Sequence, residues 1–305
     1  MSIYLPIAEM SLNVIVLFGI GAVVGFFSGM LGVGGGFLVT PLLMFYNIPP
    51  AIAVGTGANQ VIASSVTGAL AHFKRRTLDI KLGVFLVIAG IIGSLAGVRL
   101  FSLLQNIGQL DLIISLLYVV LLGSIGLMMA IESTRAIRHR REGAPLPVRR
   151  PGHHRRIHRL PFKVRFRTSK LYVSVIPVLV IGFVIGLLSS IMGVGGGFIM
   201  VPALIYILQV PTNVVVGTSL FQITFVSAFT TVMQSVTNQS VDIVLAMLLM
   251  AGGVIGAQYG TRAGAKLRGE QLRILLALVI LAMAAWLGFR LFIRPGELYT
   301  LTPAG

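Results

Sequence analysis

Cysteine is absent from the 305 residues, which excludes disulfides, thiolate metal sites and persulfide relays and leaves the compartment unspecified by redox usage. Charge is scarce as well. Only 10% of residues are charged and the mean hydropathy is +0.96, so most of the chain has no polar face to offer water, which is a membrane composition. The first twenty residues carry Glu9 but no Lys or Arg. They lack the basic n-region of a cleaved signal peptide and are expected to begin the mature chain.

Acids are the rarest charges. Glu9, Asp79, Asp111, Glu132, Glu142, Asp242, Glu270 and Glu297 all fall at the ends of apolar runs or between them. Cation transport and carboxylate proton relays, which need acids inside the spans, are therefore disfavoured. Metal or nucleophile chemistry has little to work with either, because His139, His153, His154 and His158 cluster in one loop. No enzyme, metal or cofactor is expected.

Basic residues, by contrast, are concentrated. Between Glu132 and Lys170 stand thirteen Lys and Arg against two Glu, a net +11 of the formal +16, together with Pro145, Pro147, Pro151 and Pro161. This segment reads as a loop dividing two apolar halves, and the positive-inside rule makes it cytoplasmic. Arg-rich stretches also bind phosphates of acidic lipids or nucleic acid. The topological role is the simpler one, and no nucleic-acid partner is expected.

The apolar runs are Leu12 to Met30, Phe37 to Tyr46, Val54 to Phe73, Leu82 to Leu103 and Leu112 to Ile131, then Val173 to Met192, Phe198 to Leu208, Val216 to Val236, Ile243 to Gly264 and Leu272 to Ile293. At about 1.5 Å per residue eight of them reach across a hydrocarbon core of about 30 Å, whereas Phe37 to Tyr46 and Phe198 to Leu208 reach about half way. The fold class expected is an all-α membrane protein with eight long transmembrane helices and two half-length helices that follow Gly-rich breaks. Residues 1–131 form the first repeat, 132–172 the basic cytoplasmic loop and 173–305 the second repeat.

The halves are copies. Gly34-Gly35-Gly36 and Pro41 recur 161 positions on as Gly195-Gly196-Gly197 and Pro202; Gly55-Thr56 and Gln60 recur at 162 as Gly217-Thr218 and Gln222. Asp79, Gly93, Gly97 and Arg99 recur at 163 as Asp242, Gly256, Gly260 and Arg262. Ordered matches of this kind imply a duplication. Five elements per half is an odd number, so the second copy enters the membrane from the opposite side and the repeats are inverted. Lys74, Arg75, Arg76 and Lys81 then share the cytoplasmic side with the central loop and with Lys266, Arg268 and Arg273, while both termini lie outside. Arg290 and Arg294 depart from that pattern.

Chemistry is carried by the duplicated glycine run. Three glycines interrupt an apolar stretch just before a short helix, whose N-terminus offers unpaired N–H groups and about half a positive charge from the dipole. Two such starts meeting near the midplane make an anion cradle from Gly34, Gly35, Gly36, Gly195, Gly196 and Gly197 without burying a lysine. A plain loop is the competing account of the triplets. For Gly21, Gly25 and Gly29, and for Gly252, Gly256, Gly260 and Gly264, spaced every four residues, close helix packing is favoured. The dinucleotide and P-loop motifs lack their remaining residues.

Neutral polar residues stand in the third and eighth elements. Thr56, Asn59, Gln60, Thr218, Ser219 and Gln222 are candidate substrate ligands, since hydroxyls and amides can replace the water around an oxyanion with directed hydrogen bonds. Ser64, Ser65, Thr67, Thr224 and Ser227 extend the set, with helix–helix bonding as the alternative for every Ser and Thr. Arg99 and Arg262 serve either as a gate or, more simply, as interfacial residues that snorkel.

With paired Gly-Val-Gly-Gly-Gly-Phe…Pro runs, the Gly-Thr…Gln segments after them, and Gly-x-x-x-Gly-x-Arg at Gly93 to Arg99 and Gly256 to Arg262, the chain resembles the sulfite exporter TauE/SafE family. The resemblance implies a multi-pass carrier of the bacterial inner membrane for sulfite, sulfoacetate or similar organosulfur anions. An anion channel, or an importer of thiosulfate or sulfate, would use the same donors. The partners expected are a small anion and the lipid bilayer, with a homodimer left open.

Overall fold

The computed structural model describes residues 2–31, 34–141, 163–166, 168–169, 171–264 and 269–293. Most of the central basic segment, with His153, His154 and His158, lies outside these residues, as do Gly32, Val33, Lys266, Arg268 and Arg294.

Helices dominate, in two similar series. The first is α1 (Val14–Leu31), α2 (Gly36–Phe45), α3 (Pro50–Lys74), α4 (Ile80–Asn106) and α5 (Leu110–Arg141); the second is α6 (Val175–Met192), α7 (Gly197–Tyr206), α8 (Thr212–Thr237), α9 (Ile243–Gly264) and α10 (Gly269–Ile293). The half-length elements are α2 and α7, ten residues each, or about 15 Å. Pro41 and Pro202 sit in their second turns. Helix α5 runs past residue 131 to Arg141, because Glu132 to Arg141 contains neither Pro nor Gly to stop it.

Five segments among the described residues are both long and apolar enough to cross a membrane, Ile80–Asn106, Leu110–Ile131, Val175–Met192, Val214–Thr237 and Ile243–Gly260. Eight of the described helices have 18 residues or more, but three of the eight, α1, α3 and α10, fall short in described apolar length or in hydropathy. Helix α3 has 25 residues, but its amides and hydroxyls lower its mean hydropathy. The described apolar stretches of α1 and α10 are the shorter Val14–Met30 and Ala277–Leu291. Outward faces are nonetheless apolar: Ile92, Val120, Val232, Met247 and Phe289 are each more than half exposed, as side chains facing lipid are.

The all-α expectation needs one correction. Strand β1 (Ser2–Leu5) pairs with β2 (Met10–Asn13), and β3 (Lys163–Phe166) with β4 (Leu171–Ser174), each as an antiparallel hairpin immediately before the first helix of its series. Ser2 pairs with Asn13 and Lys163 with Ser174, so the hairpins obey the same shift of 161 as the glycine runs. Four-residue strands leave too short a pattern to register beside apolar runs five times longer.

Packing links one series to the other. Helix α1 lies on α9 and α6 on α4, while α3 crosses α8 and α5 packs on α10. Exchanging the series maps the first pair onto the second and each of the others onto itself. Glycine sets the closeness of the seams. A Cβ on Gly21 would lie 2.5 Å from Leu249 O, and one on Gly25 or Gly29 would overlap the carbonyls of Gly253 and Ala257; from the other side, Gly252, Gly256 and Gly260 meet Phe18, Ala22 and Phe26. The equivalent seam brings Gly186 onto Gly90 and Gly93 onto Phe183. The four-residue stripes are packing surfaces, as small residues in membrane helices favour.

Two buried carboxylates tie the hairpins down. Asp79 caps α4 by accepting from Leu82 N–H (3.2 Å), and its other oxygen accepts from Ser169 N–H (2.9 Å) and Ser169 Oγ–H (2.8 Å) in the β3–β4 turn. Asp242 does the same for α9, accepting from Leu245 N–H (3.1 Å) and from Ile7 N–H (3.1 Å) in the β1–β2 turn. Each clasp therefore joins one series to the other's hairpin. Buried carboxylates are tolerable here because directed N–H and O–H donors replace water.

Candidate functional site

The two glycine breaks meet. Phe37 and Phe198, the second residues of α2 and α7, have ring centroids 5.6 Å apart. Gly36 faces the Val194 carbonyl and Val61, while a Cβ on Gly195 would lie 2.5 Å from Val61 Cγ1 and 3.0 Å from Ile223 Cγ2. Ile223 also lies against Gly34. Val61 and Ile223 occupy equivalent places in α3 and α8, so both triplets converge where those helices cross.

Backbone geometry at the breaks explains the residue type. Gly35 and Gly196 cap α2 and α7 at φ of 65° and 76°, left-handed values that a side chain resists, and each is also closed in by neighbours. Some of the helix-start N–H groups are used locally: Gly36 N–H donates to Gly34 O (2.9 Å), Leu38 N–H to Gly35 O (3.1 Å), and Ile199 and Met200 N–H to Gly196 O (3.1 and 2.8 Å). Those of Phe37, Gly197 and Phe198 have no acceptor among the described residues. The cradle is narrower than three free donors per break.

One residue before Val61 and Ile223 stand Gln60 and Gln222. Both are fully buried, and neither amide oxygen nor amide nitrogen has a hydrogen-bond partner among the described residues. Room for them comes from glycine again. A Cβ at Gly253 would lie 2.8 Å from Gln60 Nε2, and one at the equivalent Gly90 would lie 3.0 Å from Gln222 Nε2. Five residues on, Ser65 Oγ and Ser227 Oγ are likewise buried without a partner, Ser65 beside Gly34 and Ser227 beside Gly195. Ser219 Oγ and Asn59 Nδ2 share that condition. A buried polar group left unsatisfied costs about 1–3 kcal/mol, so a duplicated set of them at one crossing makes this a candidate site for a polar ligand or water.

Other candidates are engaged elsewhere. Thr56 Oγ1 accepts from Asp242 N–H (3.0 Å) and Thr218 Oγ1 from Asp79 N–H (3.2 Å), which makes both threonines part of the clasps, one helical turn before Gln60 and Gln222. Thr67 and Thr224 donate back to carbonyls of their own helices (3.2 and 2.8 Å), and Ser64 donates to Gly34 O (3.2 Å). Arg99 and Arg262 are exposed on α4 and α9.

Several supporting residues gave little signal in the sequence. Buried Tyr118 Oη–H donates to Met192 O (2.6 Å), an acceptor shared with Thr40 Oγ1–H (3.3 Å), and Gln234 Nε2–H donates to Ser190 O (2.9 Å). Together they hold the end of α6 just before the second break. Arg290 caps the other end of α2, donating to Met44 O (2.6 Å) and Asn47 Oδ1 (2.9 Å) with its guanidinium over Trp286. Its departure from the charge pattern thus has a local cause, a cation at a helix C-terminus.

Comparison with known proteins agrees with this architecture. The profile of the sulfite exporter TauE/SafE family matches residues 17–287. A probable membrane transporter protein of Xylella fastidiosa is 28% identical over 282 residues, covering 91% of this chain and 96% of that protein. The probable membrane transporter protein YunE of Bacillus subtilis is 25% identical over 284 residues, covering 90% and 97%. No solved structure gives a significant match. Given a profile match spanning both glycine breaks and both clasp aspartates, the chain belongs to the sulfite exporter TauE/SafE family of multi-pass membrane transporters.

Proposed function

We propose that this protein is a secondary transporter that exports small sulfur-containing oxyanions or organosulfonates, such as sulfite or sulfoacetate, across the bacterial inner membrane. One observation carries the reading: Gln60 with Gln222, and Ser65 with Ser227, are equivalent pairs of buried, unpartnered polar side chains gathered where two helix starts converge. The set contains neutral donors and helix N-termini but no acid, which suits a compact anion and offers an ammonium group nothing.

The duplicated pairing pattern supports inverted repeats with eight spanning helices, α1, α3 and α10 joining the five that meet both criteria. On that topology the Asp79 clasp and the central loop are cytoplasmic, and the Asp242 clasp is outside. The site lies between them, and Thr56 and Thr218 connect it to both. An anion leaving the cell gains about 2.3 kcal/mol per charge per 100 mV, so no coupling ion is required for export.

Counterflow in proteoliposomes, with sulfite, thiosulfate, sulfate, sulfoacetate and taurine in turn, tests the assignment. Exchange of sulfite or sulfoacetate with taurine excluded is expected. Taurine exchange equal to sulfoacetate exchange would reject the donor-only site, and exchange confined to thiosulfate or sulfate would move the substrate to those anions.

A further inference from the structure

A second feature of the fold is unrelated to the buried site. Beside the Asp79 clasp, between the β3–β4 hairpin and the start of α4, lies a cavity of about 250 Å³ lined by Leu78, Asp79, Ile80, Lys81, Arg165 and Thr168. Asp79 turns both of its oxygens to donors in the clasp. Lys81 and Arg165 are exposed and have no hydrogen bond or ion pair among the described residues.

The duplication supplies an internal control. At the Asp242 clasp the same architecture is present, but Val244 stands where Lys81 does and Tyr4 where Arg165 does, at the shifts of 163 and 161 that relate the two series. A clasp therefore forms without either cation. The pair is an addition confined to one face of the molecule, and it is the face that the charge pattern assigns to the cytoplasm, where membrane surfaces are anionic.

We propose that Lys81 and Arg165 form a binding site for a phosphate group at the rim of the cytoplasmic face, carried either by an anionic lipid headgroup or by a free phosphate. Two cations lining one cavity, with Thr168 beside them, provide charge and donors for a tetrahedral anion. A bound phosphate would bridge the hairpin to α4 and so reinforce the cytoplasmic clasp but not its counterpart outside.

The test is thermal unfolding of the purified full-length protein titrated with short-chain phosphatidylglycerol, with short-chain phosphatidylcholine and with inorganic phosphate. Lys81→Val/Arg165→Tyr, which installs the residues that the other clasp already accommodates, is compared with Lys74→Gln/Arg76→Gln, which removes the same charge from exposed positions outside the cavity. Phosphatidylglycerol or inorganic phosphate should stabilise the wild type and the Lys74/Arg76 variant, and the Lys81/Arg165 variant should need at least tenfold more of the same ligand. Stabilisation by the lipid alone identifies a headgroup, and stabilisation by inorganic phosphate a free anion. Equal midpoints for all three proteins, an equal loss in both variants, or an identical response to phosphatidylcholine would overturn the proposal.

Discussion

Replacing Gln222 by Leu should stabilise the empty protein and weaken its hold on the anion. The side chain is fully buried, and both amide atoms lack partners, so the wild type carries two unsatisfied groups at about 1–3 kcal/mol each. Leucine keeps most of the volume, and such swaps disturb packing by less than about 1.5 kcal/mol. The unliganded variant should therefore unfold at a higher temperature. Binding changes in the opposite direction, because a hydrogen bond to a charged ligand is worth about 1.5–3 kcal/mol, or about 10- to 150-fold in Kd. Gln234→Leu is the control, since that amide already donates to Ser190 O and its loss should lower stability while leaving affinity nearly unchanged. Differential scanning fluorimetry and isothermal titration, with whichever anion of the counterflow panel binds the wild type, give both quantities. If Gln222→Leu destabilises as Gln234→Leu does and its Kd stays within twofold, the amide is a structural residue and the site lies elsewhere.

Gly25→Ala should drive a methyl into the Gly253 carbonyl across the α1–α9 seam, lowering stability by about 1–3 kcal/mol in detergent melts without altering Kd. Asp242→Asn can present a donor to the N–H of Ile7 or of Leu245, costing about 1–3 kcal/mol and raising amide exchange in the β1–β2 turn ahead of the rest of the chain. Arg290→Met strips the donors from Met44 O and Asn47, so exchange at the C-terminal end of α2 should accelerate while affinity holds within about twofold. Because the chain has no cysteine, Ala144→Cys provides a single label site, and an impermeant maleimide should reach it only after the cells are opened; labelling in intact cells would invert the topology.

What the sequence revealed was whatever the duplication repeats over long stretches. Glycine stripes at four-residue spacing marked packing faces on α1 and α9, though not that the two faces meet each other, and the short apolar runs after the paired triplets predicted the two half-helices, because those features depend on periodicity and on residue type alone. Gln60 and Gln222 stood out by matching at a fixed shift. Ser65 and Ser227 match at the same shift but sit among other hydroxyls, and only burial without a partner separates them from Thr67 and Thr224, which bond within their own helices. The clasps were not legible. An aspartate before a helix signals a cap, but its second oxygen goes to Ser169 or Ile7, residues 90 and 235 positions distant that both contribute a backbone N–H, a group any sequence possesses, with the Ser169 hydroxyl added at one clasp only. Thr56 and Thr218 looked like ligands for the same reason, because their partners are backbone amides of the opposite series.

The most direct measurement of the central claim is anion flux under an imposed potential. Proteoliposomes loaded with sulfite, held inside-negative by a potassium gradient and valinomycin with no sodium or proton gradient, should release the anion faster as the potential rises, by about tenfold at most per 60 mV for one charge. Liposomes carrying Gly35→Val should release it no faster than empty ones, since that side chain meets Ser28 and Val24 at a left-handed position beside the site. Wild-type efflux that ignores the potential, or that appears only with an imposed proton or sodium gradient, would contradict export driven by the membrane potential through this site.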